Sequence, residues 1–189
     1  MVERLPSLLR LRSLRKATPE EQAGSALYRK AVAAARRPWF YSELGVPDTL
    51  DGRFDLIALH AFLLIHRLQA ATAPGPALAQ GIFDAMFSDM DNNLREIGVS
   101  DLSVGRRMRA MWEAFHGRSQ AYATAIGAAD RAGLEASLAR NVWRAAAPNV
   151  ASARLADLVL AQAAHLEQQP LEAFATGEAQ FMPVGQDDP

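Results

Sequence analysis

Residues 82–117, IFDAMFSDMDNNLREIGVSDLSVGRRMRAMWEAFHG, limit the possible folds more than any other stretch of the chain. At about 100° per residue, Phe83, Met86, Phe87, Met90, Leu94 and Ile97 gather into one apolar arc, the pattern of a helix with one buried face. Asp84, Asp91 and Arg95 border one edge of that arc, Asp89, Asn93 and Glu96 the other, and Asn92 lies opposite. Gly98 suits a helix C-cap, and Ser100, Asp101 or Ser103 a new N-terminus. Val104, Met108, Met111, Phe115, Tyr122 and Ile126 then form a second stripe, widened by Trp112, while Arg106, Arg109 and Glu113 point away from it. Two paired helices, one with an acidic outer surface and one with a basic outer surface, describe a docking platform more than a catalytic pocket. The candidate partner-binding residues are Asp84, Asp89, Asp91, Asn92, Arg95, Glu96, Arg106, Arg107 and Arg109.

Helical signals recur along the rest of the chain. Thr18-Pro19-Glu20-Glu21 is a capping box with proline at the first helical position, and the helix it starts is expected to reach about Arg36, before Pro38. Residues 38–53 hold two prolines and two glycines and are expected to form an ordered loop, anchored by Trp39, Phe40 and Tyr41. Asp51 is the expected cap of a helix over Phe54–Ala71, whose apolar residues nearly encircle it, as in a central buried helix. Ala73-Pro74-Gly75-Pro76 breaks the chain ahead of the platform, whose second helix is expected to continue through residues 118–127. Leu134–Trp143 is a shorter helix, Asn149 or Ser152 starts a long one to about Gln169, and Leu171–Ala175 adds one turn. On the long helix Leu155, Leu158, Val159, Gln162 and Leu166 share the helical spacing. No stretch alternates with period two for long enough to make a sheet. The expected fold is all-α, a single-domain irregular bundle of about six to seven helices over residues 18–176. A basic arm, 1–17, precedes it, and an acidic, poorly packed tail, 177–189, follows.

Composition narrows the function. Among 189 residues half are hydrophobic, 22% are charged and the formal net charge is −1, so no global basic field points to nucleic acid. Charge is uneven, however. The first sixteen residues carry Arg4, Arg10, Arg12, Arg15 and Lys16 between leucines, a pattern suited to an anionic membrane or another acidic surface. Cysteine is absent, which removes disulfides, thiol catalysis, thiolate zinc sites and iron–sulfur ligation. The longest apolar run, around Leu56–Ile65, is too short to span a bilayer, and no apolar segment follows the N-terminal charges as a secretory signal would require.

The chemical motifs are incomplete. Glu113-x-x-His116 matches half of a di-iron bundle signature, but no acid lies three residues before His60, His66 or His165. His60 and His66, six apart, sit about 120° from one another on a helix and do not converge on one ion. Asp84, Asp89 and Asp91 lack the spacing of a calcium loop. No nucleophile elbow frames a serine, and no Gly-rich loop is built for phosphate. Arg106-Arg107-Met108-Arg109 lacks the interleaved aromatics of single-strand binders. Neither catalytic residues, nor a metal, nor a cofactor is expected.

GVPDTLDGRFDLIALHAFLLIHRL (45–68), FDAMFSDMDNNLREIGVSDLSVGRRMRAMWEAFHGR (83–118) and the following Ser119–Ile126 resemble the ubiquinol–cytochrome c chaperone family, over roughly residues 25–145. The resemblance implies a non-enzymatic helical assembly factor. Its client would be newly made cytochrome b, engaged before or during haem loading as the ubiquinol–cytochrome c reductase complex is built. A small co-chaperone and the inner-membrane surface are further implied partners, and nucleic acid is not. The implied location is cytoplasmic and peripheral at the inner membrane, or the matrix side in a mitochondrion. The chain shows no long presequence, which suits a bacterial or processed member. The rival reading is a helical lipid- or quinone-binding protein, or an enzyme, using the apolar groove between the platform helices.

Overall fold

The computed structural model describes residues 16–185, and within them every regular element is an α-helix. The helices are α1 (Pro19–Ala35), α2 (Trp39–Ser42), α3 (Leu50–Gln69), α4 (Gly75–Glu96), α5 (Asp101–Gly127), α6 (Arg131–Val142), α7 (Val150–Gln168) and α8 (Leu171–Ala175). Helices α1, α3 and α4 pack on one another as the heart of the bundle; α5 runs beside α4, α6 bridges α5 and α7, and α7 returns onto α3. Arg4, Arg10, Arg12 and Arg15 of the basic arm lie outside the described residues, and Lys16 is exposed.

Helix ends follow local chemistry. The Thr18 hydroxyl accepts from Glu21 N–H at 3.2 Å, and the Glu21 carboxylate accepts from Thr18 N–H at 3.0 Å. Two of the orphan donors at the start of α1 are thereby satisfied. Asn149 and Ser152 cap α7 in the same reciprocal way. Helix α3 begins earlier than the pattern suggested: Thr49, not Asp51, is the cap, accepting from Gly52 N–H at 3.2 Å. Both residue types cap well, and one sequence does not say which takes the extended backbone a cap needs. The expected loop at 38–53 contains the short α2, and its anchors are as expected: Phe40 is buried, and Trp39 and Tyr41 pack against the core. Trp143 Nε1 donates to Leu44 O at 3.1 Å and ties the same loop to the end of α6.

Helix α3 is the central helix. Leu56, Leu59, Phe62, Leu63, Leu64 and Leu68 are all buried, along with the polar Asp55 and His60. Helices α1 and α4 meet backbone to backbone where Gly24 faces Gly81; a β-carbon added at Gly24 would lie 2.6 Å from the Gly81 carbonyl carbon. This closeness brings α4, and the platform it carries, onto the core.

The segment after α8 departs from expectation. Residues 177–185 are packed as an extended strap, not left as a poorly packed tail. Gly177, at φ +76°, turns the chain; Ala179 is buried; Phe181 sits edge-on to His60 with ring centroids 5.1 Å apart. Side-chain amides of Gln162 on α7 and of Gln169 at its C-cap hold the strap's backbone.

A charged platform beside an aromatic groove

The platform is a helical hairpin, α4 and α5, joined through Gly98 at φ +81°. Arg95, near the end of α4, donates from Nε to Asp91 at 2.6 Å and also binds Asp101 on the first turn of α5. The Asp91–Arg95–Asp101 chain thus clamps the hairpin across its turn. On the outer face of α5, Arg109 pairs with Glu113 at 3.0 Å, an i,i+4 pair in solvent that contributes little stability. Arg106 and Arg107 are exposed and make no ion pair among the described residues. Asn92 and Glu96 are exposed as well. Beside them the tip displays two apolar side chains, Ile97 at 55% and Leu102 at 90% exposure.

The nine candidate residues do not form one surface. Asp84 accepts from Gln80 Nε2 at 2.8 Å on its own helix. Asp89 is half-buried and turned toward α1, where the Tyr28 hydroxyl donates to it at 2.7 Å. Burial and the neighbouring Asp89 carboxylate both raise the Tyr28 hydroxyl far above its usual range, so it stays a donor. Asp89 therefore joins helices. Asp91 and Arg95 fix the hairpin, and the outward set is Asn92, Glu96, Arg106, Arg107 and Arg109. A helical wheel cannot separate these roles, because it does not show which flank another helix covers.

The methionines of the two stripes mainly serve packing. Met86 and Met90 are buried, and Met108 and Met111 pack partly buried against the core.

Between α3, α4 and α5 lies a groove of about 670 Å³, bordered by Phe62, Ile65, His66, Phe83, Trp112 and Phe115 among others. Phe83 packs tilted against Phe87 with ring centroids 4.5 Å apart, and Phe115 approaches Phe83 at 6.0 Å. His116 lies parallel to Trp112 at 5.4 Å, and His66 stacks on Phe62 at 5.4 Å. Burial lowers the His66 imidazole from its ordinary range, favouring its neutral form. The Ser119 hydroxyl, also on this groove, is buried without a hydrogen-bond partner among the described residues. The chemistry on offer is aromatic surface with a few polar tips. Glu113 and His116 do not form a ligand pair here: Glu113 is exposed and paired with Arg109, while His116 stacks on Trp112.

Behind the groove a buried carboxylate ties three elements together. Asp55, on α3 at 4% exposure, accepts from Arg118 on α5 and, at 2.6 Å, from Arg144 Nη1 just beyond α6. Burial pushes the Asp55 carboxyl up, and the two guanidinium groups act against that shift. Helical periodicity does not single out this cluster; Asp55 in an otherwise apolar run is its one sign in the sequence.

Fold and site together define an all-α bundle that presents a clamped, charged helical hairpin beside an aromatic groove. The family model described as Ubiquinol-cytochrome C chaperone matches residues 42–181, which include the whole hairpin and groove, and the chain belongs to that family. It is similar to the crystal structure of the Cbp3 homolog from Brucella abortus, with 36% identity and a TM-score of 0.80, over 96% of this chain and 98% of that one. It is also 27% identical over 103 residues to the ubiquinol-cytochrome-c reductase complex assembly factor 1 of Xenopus laevis, covering 54% of this chain. The match spans 51%, about half, of that relative's length.

Proposed function

We propose that this protein is a non-enzymatic chaperone in assembly of the ubiquinol–cytochrome c reductase complex, and that its client is newly made cytochrome b. The observation that carries the reading is the family match across the hairpin and groove, seconded by a relative named for assembly of that complex. The hairpin's geometry suits the task. Arg106 and Arg107 offer charges not already spent on internal pairs, and Ile97 and Leu102 offer apolar contact beside them. Such an arrangement steers a partner electrostatically and then holds it by desolvated apolar area. Asn92, Glu96 and Arg109 complete the docking face, while Asp84, Asp89, Asp91 and Arg95 support it from within. The protein works at the inner-membrane surface, where the basic arm and Lys16 meet anionic headgroups. No helix among the described residues is long and apolar enough to cross the membrane.

The test is an affinity pull-down of tagged protein from its native cells in gentle detergent, read by mass spectrometry. Cytochrome b and other subunits of the complex are expected to be enriched. The double variant Arg106→Glu/Arg107→Glu is expected to lose at least tenfold of that enrichment with helicity and Tm near wild type. Undiminished capture by the folded variant overturns the platform assignment, and absence of every subunit overturns the chaperone reading. The aromatic groove supports the second reading, a lipid- or quinone-binding site. An isoprenoid or lipid co-purifying in place of those subunits would favour it.

A further inference from the structure

Two glutamines, Gln162 on α7 and Gln169 at its C-cap, hold the strap by its backbone alone. Gln169 Nε2 donates to Gln180 O at 2.7 Å, and Gln180 N–H donates back to Gln169 Oε1 at 2.9 Å. Two residues on, Gln162 Nε2 donates to Met182 O at 3.0 Å, and Met182 N–H donates to Gln162 Oε1 at 2.9 Å. In an antiparallel sheet a hydrogen-bonded pair of residues exchanges both bonds in this way, and the pairs recur at every second residue. Here two side-chain amides, one within α7 and one at its C-cap, take the place of the neighbouring strand.

Between the two gripped residues Phe181 points to the aromatic wall. Its ring lies edge-on to His60, which in turn lies edge-on to the fully buried Phe40 at 5.3 Å. Farther on, Gly185 is packed so closely on Trp39 that a β-carbon there would lie 3.2 Å from its ring. Gln162 is 2% exposed on a helix face otherwise made of Leu155, Val159 and Leu166. A buried amide in such a setting needs partners, and Gln162 finds them in the strap.

We propose that this channel, formed by Gln162, Gln169, His60, Phe40 and Trp39, is a peptide-binding site occupied in the free protein by the chain's own residues 179–185. The ligand class is an extended polypeptide with an aromatic side chain between two residues whose backbones face α7. Recognition by paired amides reads peptide N–H and C=O groups, which every sequence except proline supplies, so selectivity rests on the aromatic position. This is the geometry of strand addition, achieved without a sheet. The strap, a short segment with one aromatic anchor, is the competitor that any incoming peptide displaces. The site is separate from the α4–α5 platform and does not depend on the platform reading.

The test uses the full chain with Phe181→Ala, which weakens the cis occupant while leaving the walls intact. A fluorescein-labelled peptide of the strap sequence, EAQFMPVG, is titrated and followed by anisotropy. The variant is expected to bind it at least tenfold tighter than wild type does. Binding should fall at least tenfold when Gln162→Leu and Gln169→Leu are added, or when the peptide's phenylalanine is replaced by alanine. If Phe181→Ala does not fold, Met182→Pro, which removes the N–H given to Gln162, serves in its place. A folded variant that binds no better than wild type overturns the proposal, as does binding indifferent to the two glutamines. The assay contains neither client nor membrane, so its failure leaves the platform reading untouched.

Discussion

His60 and Asp55 show how single buried polar residues govern this bundle. His60 is enclosed between Phe40 and Phe181, and its Nδ1 lies 2.8 Å from Leu56 O, so the neutral ring donates to that carbonyl. Burial is the main cause that lowers its pKa to about 4, with the Arg37 charge adding slightly, against an ordinary 6.5. Between those values the unfolded chain binds the proton and the folded one does not, so stability is full above pH 6.5 and falls as pH drops toward 4. From pH 7.5 to pH 5 the loss from this residue should be about 2 kcal/mol. Urea unfolding of wild type and His60→Phe at both pH values checks it, the variant being expected to show a correspondingly shallower decline. Asp55→Ala should cost about 3 kcal/mol by the same method, because Arg118 and Arg144 lose their shared carboxylate in a partly buried site. The sequence marked His60 as a histidine unlikely to share a metal with His66, yet gave no hint that the strap closes over it. Contacts from distant chain positions leave no trace in helical periodicity.

At the scale of helices, most of the architecture was written in local chemistry. The Thr18 capping box, the breaks at Pro38 and Ala73-Pro74-Gly75-Pro76, the Asn149 start and the α8 turn all stand where residue types placed them. The Gly24–Gly81 contact was not legible. Each glycine alone looks like a mildly unfavourable residue in a helix, and only their meeting explains them. Because the obstructing atoms are backbone, α1 and α4 must separate to admit a side chain. Gly81→Ala is therefore expected to destabilise by about 2 kcal/mol despite alanine's better helix propensity, whereas Gly117→Ala, with open space around its added carbon, should be neutral or slightly stabilising. Thermal unfolding of the two variants side by side checks the contrast. Thr18→Ala should cost about 1 kcal/mol through loss of its cap.

For the whole molecule, the paired amphipathic helices announced an all-α bundle with a charged hairpin, and that is its form. What the pattern could not resolve was the division of labour among the charges: Asp89 faces α1, Asp91 and Arg95 clamp the turn, and Arg106 and Arg107 stand free of ion pairs among the described residues. Charge reversal at Asp91 is thus expected to lower helical hairpin stability as well as any docking, while reversal at Arg106 and Arg107 should alter docking alone. Comparing capture and Tm for the two sets separates the cases. The strap was illegible for another reason. Extended backbone held by side-chain amides has neither a 3.6-residue nor a two-residue signature, and a composition of Ala, Gln, Met and Gly suggests a loose end.

The strap's place in the chain also sets a sequence of events. Residues 177–185 follow all eight described helices, so the strap is the last of the described segments to be synthesised. Until it docks, the His60 wall and the amides of Gln162 and Gln169 lack the partners the strap supplies. A newborn copy of this protein is then, briefly, a different receptor from the mature one.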